Sequence, residues 1–140
     1  MRADLEIIRN WIEPGSRVLD VGCGDGELLH HLQQHKEVSG YGLEINADNI
    51  TACIENGVNV IEKDIDTGLS SIKSNSFDTV VMTQALQAMH RPDQIVDELL
   101  RIGKECIVTF PNFGHWRARG YLAFRGKMPV SKFLPYTWYN

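Results

Sequence analysis

The chain has 140 residues, 43% of them hydrophobic, with 18 acidic against 14 basic side chains. Those proportions describe a soluble globular protein of one domain, 1–140, large enough to bury roughly two-thirds of its unfolded surface without a disulfide or metal staple. The net charge of −4 excludes a surface built throughout for nucleic acid, and no apolar run approaches the roughly 18 residues of a membrane span.

Two sequence periods alternate along the chain. Residues 2–12 carry Leu5, Ile8, Trp11 and Ile12 at helical spacing, and Pro14 and Gly15 end that helix. Its charged start lacks the apolar stretch of a signal peptide. Arg17–Val21 is a short β-prone run, broken by the glycines of Gly22-Cys23-Gly24-Asp25-Gly26. A helix with Leu28, Leu29 and Leu32 on one face follows. Residues 38–44 then form a strand, and 46–56 a helix with Ile50, Cys53 and Ile54 inward, closed by Gly57. Residues 58–61 are a strand and 66–76 a polar loop. Phe77–Thr83 is an apolar strand too continuous to leave one face in water. Pro92–Ile102 is a helix with Ile95, Val96, Leu99 and Leu100 on its core side, and 106–110 is the fifth strand. The alternation predicts an α/β fold, a three-layer Rossmann-like parallel sheet with helices on both faces.

The last thirty residues, 111–140, differ in chemistry. They hold no acidic residue but five of the 14 basic ones and eight of the twelve aromatics, among them Trp116, Tyr121, Phe124 and Trp138. A basic, aromatic segment suits either a cover over a pocket or a partner interface. A nucleic-acid role is disfavoured, because the other 110 residues carry nine excess negative charges.

Open parallel sheets bind ligands at the carboxyl ends of their strands, so the first strand and its loop are the place to look. Glycines there permit a tight turn and let a ligand lie against bare backbone, while the helix that follows turns its positive end toward the ligand. The second strand ends at Glu44, 18 residues after Gly26. A carboxylate at that tip suits the vicinal hydroxyls of a ribose. The nucleoside could belong to NAD or to S-adenosylmethionine. The dinucleotide pattern G-x-G-x-x-G places its third glycine at Glu27 or at Leu29, and neither fits. Asp20 and Asp25 stand where a pyrophosphate would lie, and carboxylates there favour a cationic cofactor.

VLDVGCGDG followed by GYGLEIN resembles the first motif and acidic second strand of class I S-adenosylmethionine-dependent methyltransferases, a likeness that spans residues 17–110. YGLEIN, FDTVVMTQALQAMHRP and FPNFGHWRAR, together with the tail GYLAFRGKMPVSKFLPYTWYN, resemble more narrowly the methionine biosynthesis protein MetW family. The resemblance implies that Asp20, Gly22, Cys23, Gly24 and Gly26 line the methionine portion of S-adenosylmethionine or S-adenosylhomocysteine. It places Glu44 and Ile45 by the ribose, Asp64 and Ile65 near the adenine, and Gln84 at the reacting end. It further implies a methyltransferase framework in bacterial methionine synthesis, acting with homoserine O-acyltransferase. The alternatives are a stand-alone small-molecule methyltransferase and, more weakly, an NAD-dependent oxidoreductase domain.

No side chain stands out as a catalytic group. Cys23, Cys53 and Cys106 are too few and too widely spaced for a disulfide framework or a paired zinc motif, which fits a reduced, cytoplasmic protein. The five histidines show no metal-ligand spacing. His90 and His115 follow strand ends and are candidate general bases, although a loop histidine with a satisfied hydrogen bond is the commoner case. The methyltransferase fold has seven strands, whereas five are legible here. The reading therefore expects the last strands to be missing, the 106–110 strand to be an exposed edge, and either more chain or a neighbouring copy in a homo-oligomer to cover it.

Overall fold

A computed structural model describes residues 3–83, 92–111, 119–125 and 130–136. Seven strands form one sheet: β1 (Arg17–Val21), β2 (Ser39–Glu44), β3 (Asn59–Glu62), β4 (Phe77–Thr83), β5 (Gly103–Pro111), β6 (Arg119–Arg125) and β7 (Val130–Tyr136). Their order is β3-β2-β1-β4-β5-β6-β7, with β1 to β5 mutually parallel. The order of strands switches direction between β1 and β4, and that is where an open parallel sheet leaves a crevice.

The strands are apolar on both faces because both are covered. Val18 of β1, Val81 of β4 and Ile107 of β5 point into one core with Leu5, Ile8 and Ile12 of α1 (Ala3–Trp11) and its end, Leu28, Leu29 and Leu32 of α2 (Glu27–Lys36), and Cys53 of α3 (Ala47–Glu55). Their neighbours Leu19, Val80 and Val108 point the other way, toward Ile95, Leu99 and Ile102 of α4 (Pro92–Ile102). Successive side chains thus take turns between two cores.

Four local findings differ from the sequence reading or add to it. β6 pairs antiparallel with β5 from Glu105↔Arg125 to Pro111↔Arg119, and β7 pairs with β6. The expected open edge on β5 is therefore corrected: the basic, aromatic segment itself supplies two strands that satisfy its backbone groups. Ile54, expected inward, is 65% exposed, whereas Cys53 is fully buried. The helix packs against β3, and Cys53 is the residue it sends into the core. The 66–76 connection has no long helix, only the short turn Ile65–Thr67. It is held instead by Arg101, whose guanidinium donates to the carbonyls of Leu69 (2.9 Å) and Ile72 (2.8 Å) and to Ser74 Oγ (3.1 Å).

α1 is fastened to α2 at two points. Arg9 Nη1 lies 2.9 Å from His31 Nε2, and Lys36 Nζ donates to the carbonyl of Ile12 at 3.1 Å. A guanidinium can only donate, so Nε2 is the acceptor, and burial, the neighbouring His35 and the Arg9 cation all lower the His31 pKa.

At the opposite end of the sheet from the crevice, Asp78 joins three strands. Its Oδ2 accepts the Arg17 backbone N–H at 2.8 Å, while its Oδ1 lies 3.3 Å from Arg17 Nη2 and 3.5 Å from Lys104 Nζ. The Arg17 amide first, and then its guanidinium, hold the Asp78 carboxyl below the usual carboxylate range. A depressed pKa gives stability that is complete above the unfolded value of about 3.9 and is lost as pH falls through the folded one. The urea midpoint of the wild type should exceed that of Asp78→Asn at neutral pH, by up to about 1 kcal/mol for so exposed a pair. The margin should shrink below about pH 4; a margin independent of pH would show that charge is not its source.

Candidate functional site

β1 delivers Asp20 to its carboxyl end on the α1–α2 side of the sheet, where the residue is 1% exposed. The chain then turns through Gly22, Gly24 and Gly26 at φ of +77°, +59° and +85°, all in the left-handed region that favours glycine. A Cβ built on Gly24 would meet nothing within 4 Å, so the bare main chain at that point faces open space. Gly26 begins α2 and is closely packed: a Cβ there would lie 3.0 Å from Cys53 Sγ.

The loop is pinned from the neighbouring strand. The carbonyl of Leu43 accepts from the backbone N–H groups of Gly22 (2.8 Å) and Cys23 (3.0 Å). Glu44 Oε1 accepts the Gly24 N–H at 2.8 Å, and Oε2 accepts the N–H groups of Ile45 and Asn46, each at 3.0 Å. A carboxylate offers about four lone-pair positions, so three are engaged within the protein and one is left on Oε1. Gly42 makes this interlock possible: a Cβ there would stand 2.4 Å from Cys23 Sγ.

A cavity of about 310 Å³ opens above this loop, lined by Leu5, Asp20, Gly22, Cys23, Gly24, Asp25, Glu27, Leu28 and Thr83. Four of the expected residues, Asp20, Gly22, Cys23 and Gly24, come together on its wall, and Glu44 is tied to it through Gly24. Ile45 is 58% exposed beside the acid. Asp64 is exposed and accepts the Asp66 N–H at 3.0 Å, capping the short turn, while Ile65 packs into the core on the α4 side. Gln84, His90 and His115 lie outside the described residues. The sequence reading did not find Leu5, Glu27, Leu28 or Thr83 as lining residues. Helical periodicity marks Leu5 and Leu28 as core positions and carries no signal that the core there borders a cavity. A second, larger cavity of about 470 Å³ lies between the 66–76 loop and α4, lined by Asp66, Gly68, Gln94, Ile95, Asp97, Glu98 and Arg101, away from the glycine loop.

The cysteines are not poised for nucleophilic chemistry. Cys23 Sγ and Cys53 Sγ are 3.7 Å apart, both free thiols. Burial, followed by the nearby Asp20 charge, raises the Cys23 pKa far above its ordinary value, and burial raises that of Cys53. Burial pushes Cys106 up to about 12. Among the described residues, no group of three or more His, Cys, Asp or Glu is arranged to hold a metal ion, and no helix is long and apolar enough to cross a membrane.

The family model for "Methionine biosynthesis protein MetW" matches residues 2–140. The chain belongs to the MetW family. Over its full length the MetW-family chain is similar to the bifunctional methionine biosynthesis protein MetXA/MetW of Rhodopirellula baltica, 31% identical over 149 residues that make up 24% of that protein. Among solved structures it resembles an S-adenosylmethionine-dependent methyltransferase from Archaeoglobus fulgidus, with a TM-score of 0.70 and 27% identity over 79% of this chain and 52% of that one. It also resembles the [4+2]-cyclase SpnF, with a TM-score of 0.65 and 26% identity over 80% of this chain and 47% of that one. The chain thus spans about a quarter of its curated relative and about half of these two solved chains. Its fold is that of the class I methyltransferases.

The close approach of Cys23 to β2 yields a direct test. Gly42→Ala should lower stability by about 1–3 kcal/mol, the range for overpacking a filled core, measured as a shift in denaturant midpoint. An unchanged midpoint would show that the loop can withdraw from the strand at no cost.

Proposed function

We propose that this MetW-family chain binds S-adenosylmethionine in the cavity above the glycine loop, and that it acts in cytoplasmic methionine synthesis together with homoserine O-acyltransferase. The observation that carries the reading is the cavity itself: bare main chain at Gly22 and Gly24, walled by Asp20, Asp25 and Glu27, at the carboxyl end of the first strand. When bound, this cofactor supplies an electrophilic methyl group on a sulfonium. Asp20 and the loop would hold the amino-acid end, with its ammonium. Glu44, through the remaining acceptor position on Oε1, would take a ribose hydroxyl, and the exposed Ile45 would lie against the nucleoside. Asp64, Ile65 and Gln84 are assigned to the adenine and reacting ends by family likeness alone.

The carboxylates that suit an ammonium and a sulfonium oppose a pyrophosphate, so the NAD reading is disfavoured by the same wall. The partnership draws support from the Rhodopirellula baltica relative, whose name joins MetXA and MetW in one protein. Such a fusion holds two modules at high effective concentration. The second reading, a stand-alone small-molecule methyltransferase, is favoured by the Thr83 hydroxyl at the end of β4, which lines the same cavity. Methyl transfer relies on positioning more than on acid–base help, so a wall with no histidine or lysine among its described residues is compatible with either.

Titration calorimetry should detect S-adenosylmethionine and not NAD; preferential NAD binding would reject the reading. Glu44→Ala should weaken the cofactor by about 1–3 kcal/mol, as loss of a charged hydrogen-bond partner does. Glu44→Gln should do so less, because it keeps an acceptor near Gly24. Addition of the chain with its cofactor should raise the turnover of a homoserine O-acyltransferase. An unaltered rate, with S-adenosylhomocysteine released from some metabolite instead, would favour the stand-alone enzyme.

A further inference from the structure

The glycine loop is held by two different elements. Leu43 and Glu44 of β2 take the Gly22, Cys23 and Gly24 amides. Two successive carbonyls of the loop meet side chains at the end of α3. The Cys53 thiol donates to the Gly24 carbonyl at 3.2 Å, and Asn56 Nδ2 donates to the Asp25 carbonyl at 3.4 Å. Positions three apart on a helix share a face, so one turn of chain serves two consecutive peptide units. Gly24 is thereby fixed at both its N–H and its C=O.

Each of the two side chains is itself held in place. Cys53 is fully buried, and it fits against the loop because residue 26 has no side chain: a Cβ on Gly26 would lie 3.0 Å from its Sγ. Cys23 Sγ touches it at 3.7 Å. Burial raises the Cys53 pKa, which keeps the thiol protonated and able to donate. Asn56 is set by its main chain. Its N–H returns to the carbonyls of Ala52 and Cys53, at 3.0 and 3.1 Å, and its carbonyl accepts from His30 Nδ1 of α2 at 3.0 Å.

We propose that Cys53 and Asn56 are positioning residues for the cofactor: through the Gly24 and Asp25 carbonyls they set the main-chain wall of the cavity before the ligand arrives. The inference rests on the cofactor reading above and deepens it. Gly24 and Asp25 line the cavity whereas Cys53 and Asn56 do not, so the effect passes through the loop's main chain. A loop already held in shape spares the ligand the entropy of ordering it. α3 thus enters the site at both ends. Glu44 holds the Asn46 amide where the helix begins, and Asn56 holds the loop where it finishes.

The test pairs titration calorimetry with denaturant midpoints on the full chain, with S-adenosylmethionine as the ligand. Asn56 is exposed, so Asn56→Ala should leave the midpoint close to that of the wild type while weakening the cofactor about threefold or more. Asn56→Gln, which keeps an amide donor, should recover part of the loss. Cys53→Ala should weaken binding to a similar degree. Cys53→Ser keeps a donor and should bind more tightly than Cys53→Ala, even though a hydroxyl in that apolar place lowers the midpoint further. Affinity and stability would then rank the two Cys53 variants in opposite orders, which a packing role alone does not produce. Unchanged affinity in Asn56→Ala, or affinities that simply follow the midpoints, would overturn the proposal and leave the cofactor reading intact. Failure of the wild type to bind would overturn the cofactor reading, and this inference with it.

Discussion

The carboxylate of Glu44 is the joint on which the site turns. It stands at the tip of β2 and reaches across to the Gly24 amide of the loop after β1, while its other oxygen gathers the amides of Ile45 and Asn46. One side chain therefore sets both the path of the glycine loop and the departure of the chain from β2. The arrangement needs the left-handed backbone at Gly22 and Gly24, and it needs Gly42 on β2 to leave room for Cys23. Hydrogen bonds to an ionised acceptor are worth about twice neutral ones.

The same interlock explains the polarity of the site. Amides that point inward to hold the loop cannot also point outward to hold a phosphate. The loop thus keeps the shape found in nucleotide-binding folds while its Gly22, Cys23, Gly24, Gly26 and Glu27 amides are engaged within the protein. Asp20 is buried at the strand end, and Asp25 caps the start of the helix through the Glu27 amide. Fastening of α1 through Arg9 and Lys36 brings Leu5 to the wall, so that an element outside the sheet motif contributes to the enclosed space.

Membership in the MetW family and a class I methyltransferase fold do not together prescribe a reaction. The solved relatives include a methyltransferase and a [4+2]-cyclase at similar overlap and identity, which shows how different chemistries occupy one architecture. Its local features are an acidic, glycine-floored cavity that, among the described residues, has one hydroxyl-bearing side chain, Thr83, at its β4 end. The relative from Rhodopirellula baltica joins MetXA and MetW in one protein's name.

Patterns governed by neighbours in sequence were legible without a structure. β1, β4 and α4 begin and end at the expected residues, because apolar periodicity and the glycines and prolines that interrupt it are local. The glycine loop and Glu44 were legible for the same reason, as a strand end followed by a turn that only glycine enters easily. The tertiary structure decided everything that depends on which distant segments meet. It turned Ile54 outward, made Arg101 the support for a loop 26 to 32 residues away, and laid β6 along the expected open edge. It also assembled the cavity wall from α1, the loop, α2 and the end of β4. Periodicity reports that a residue is apolar-facing; it cannot report whether a core, a neighbour or an open cavity lies on that side, because that is set by pairings the linear chain does not encode one residue at a time.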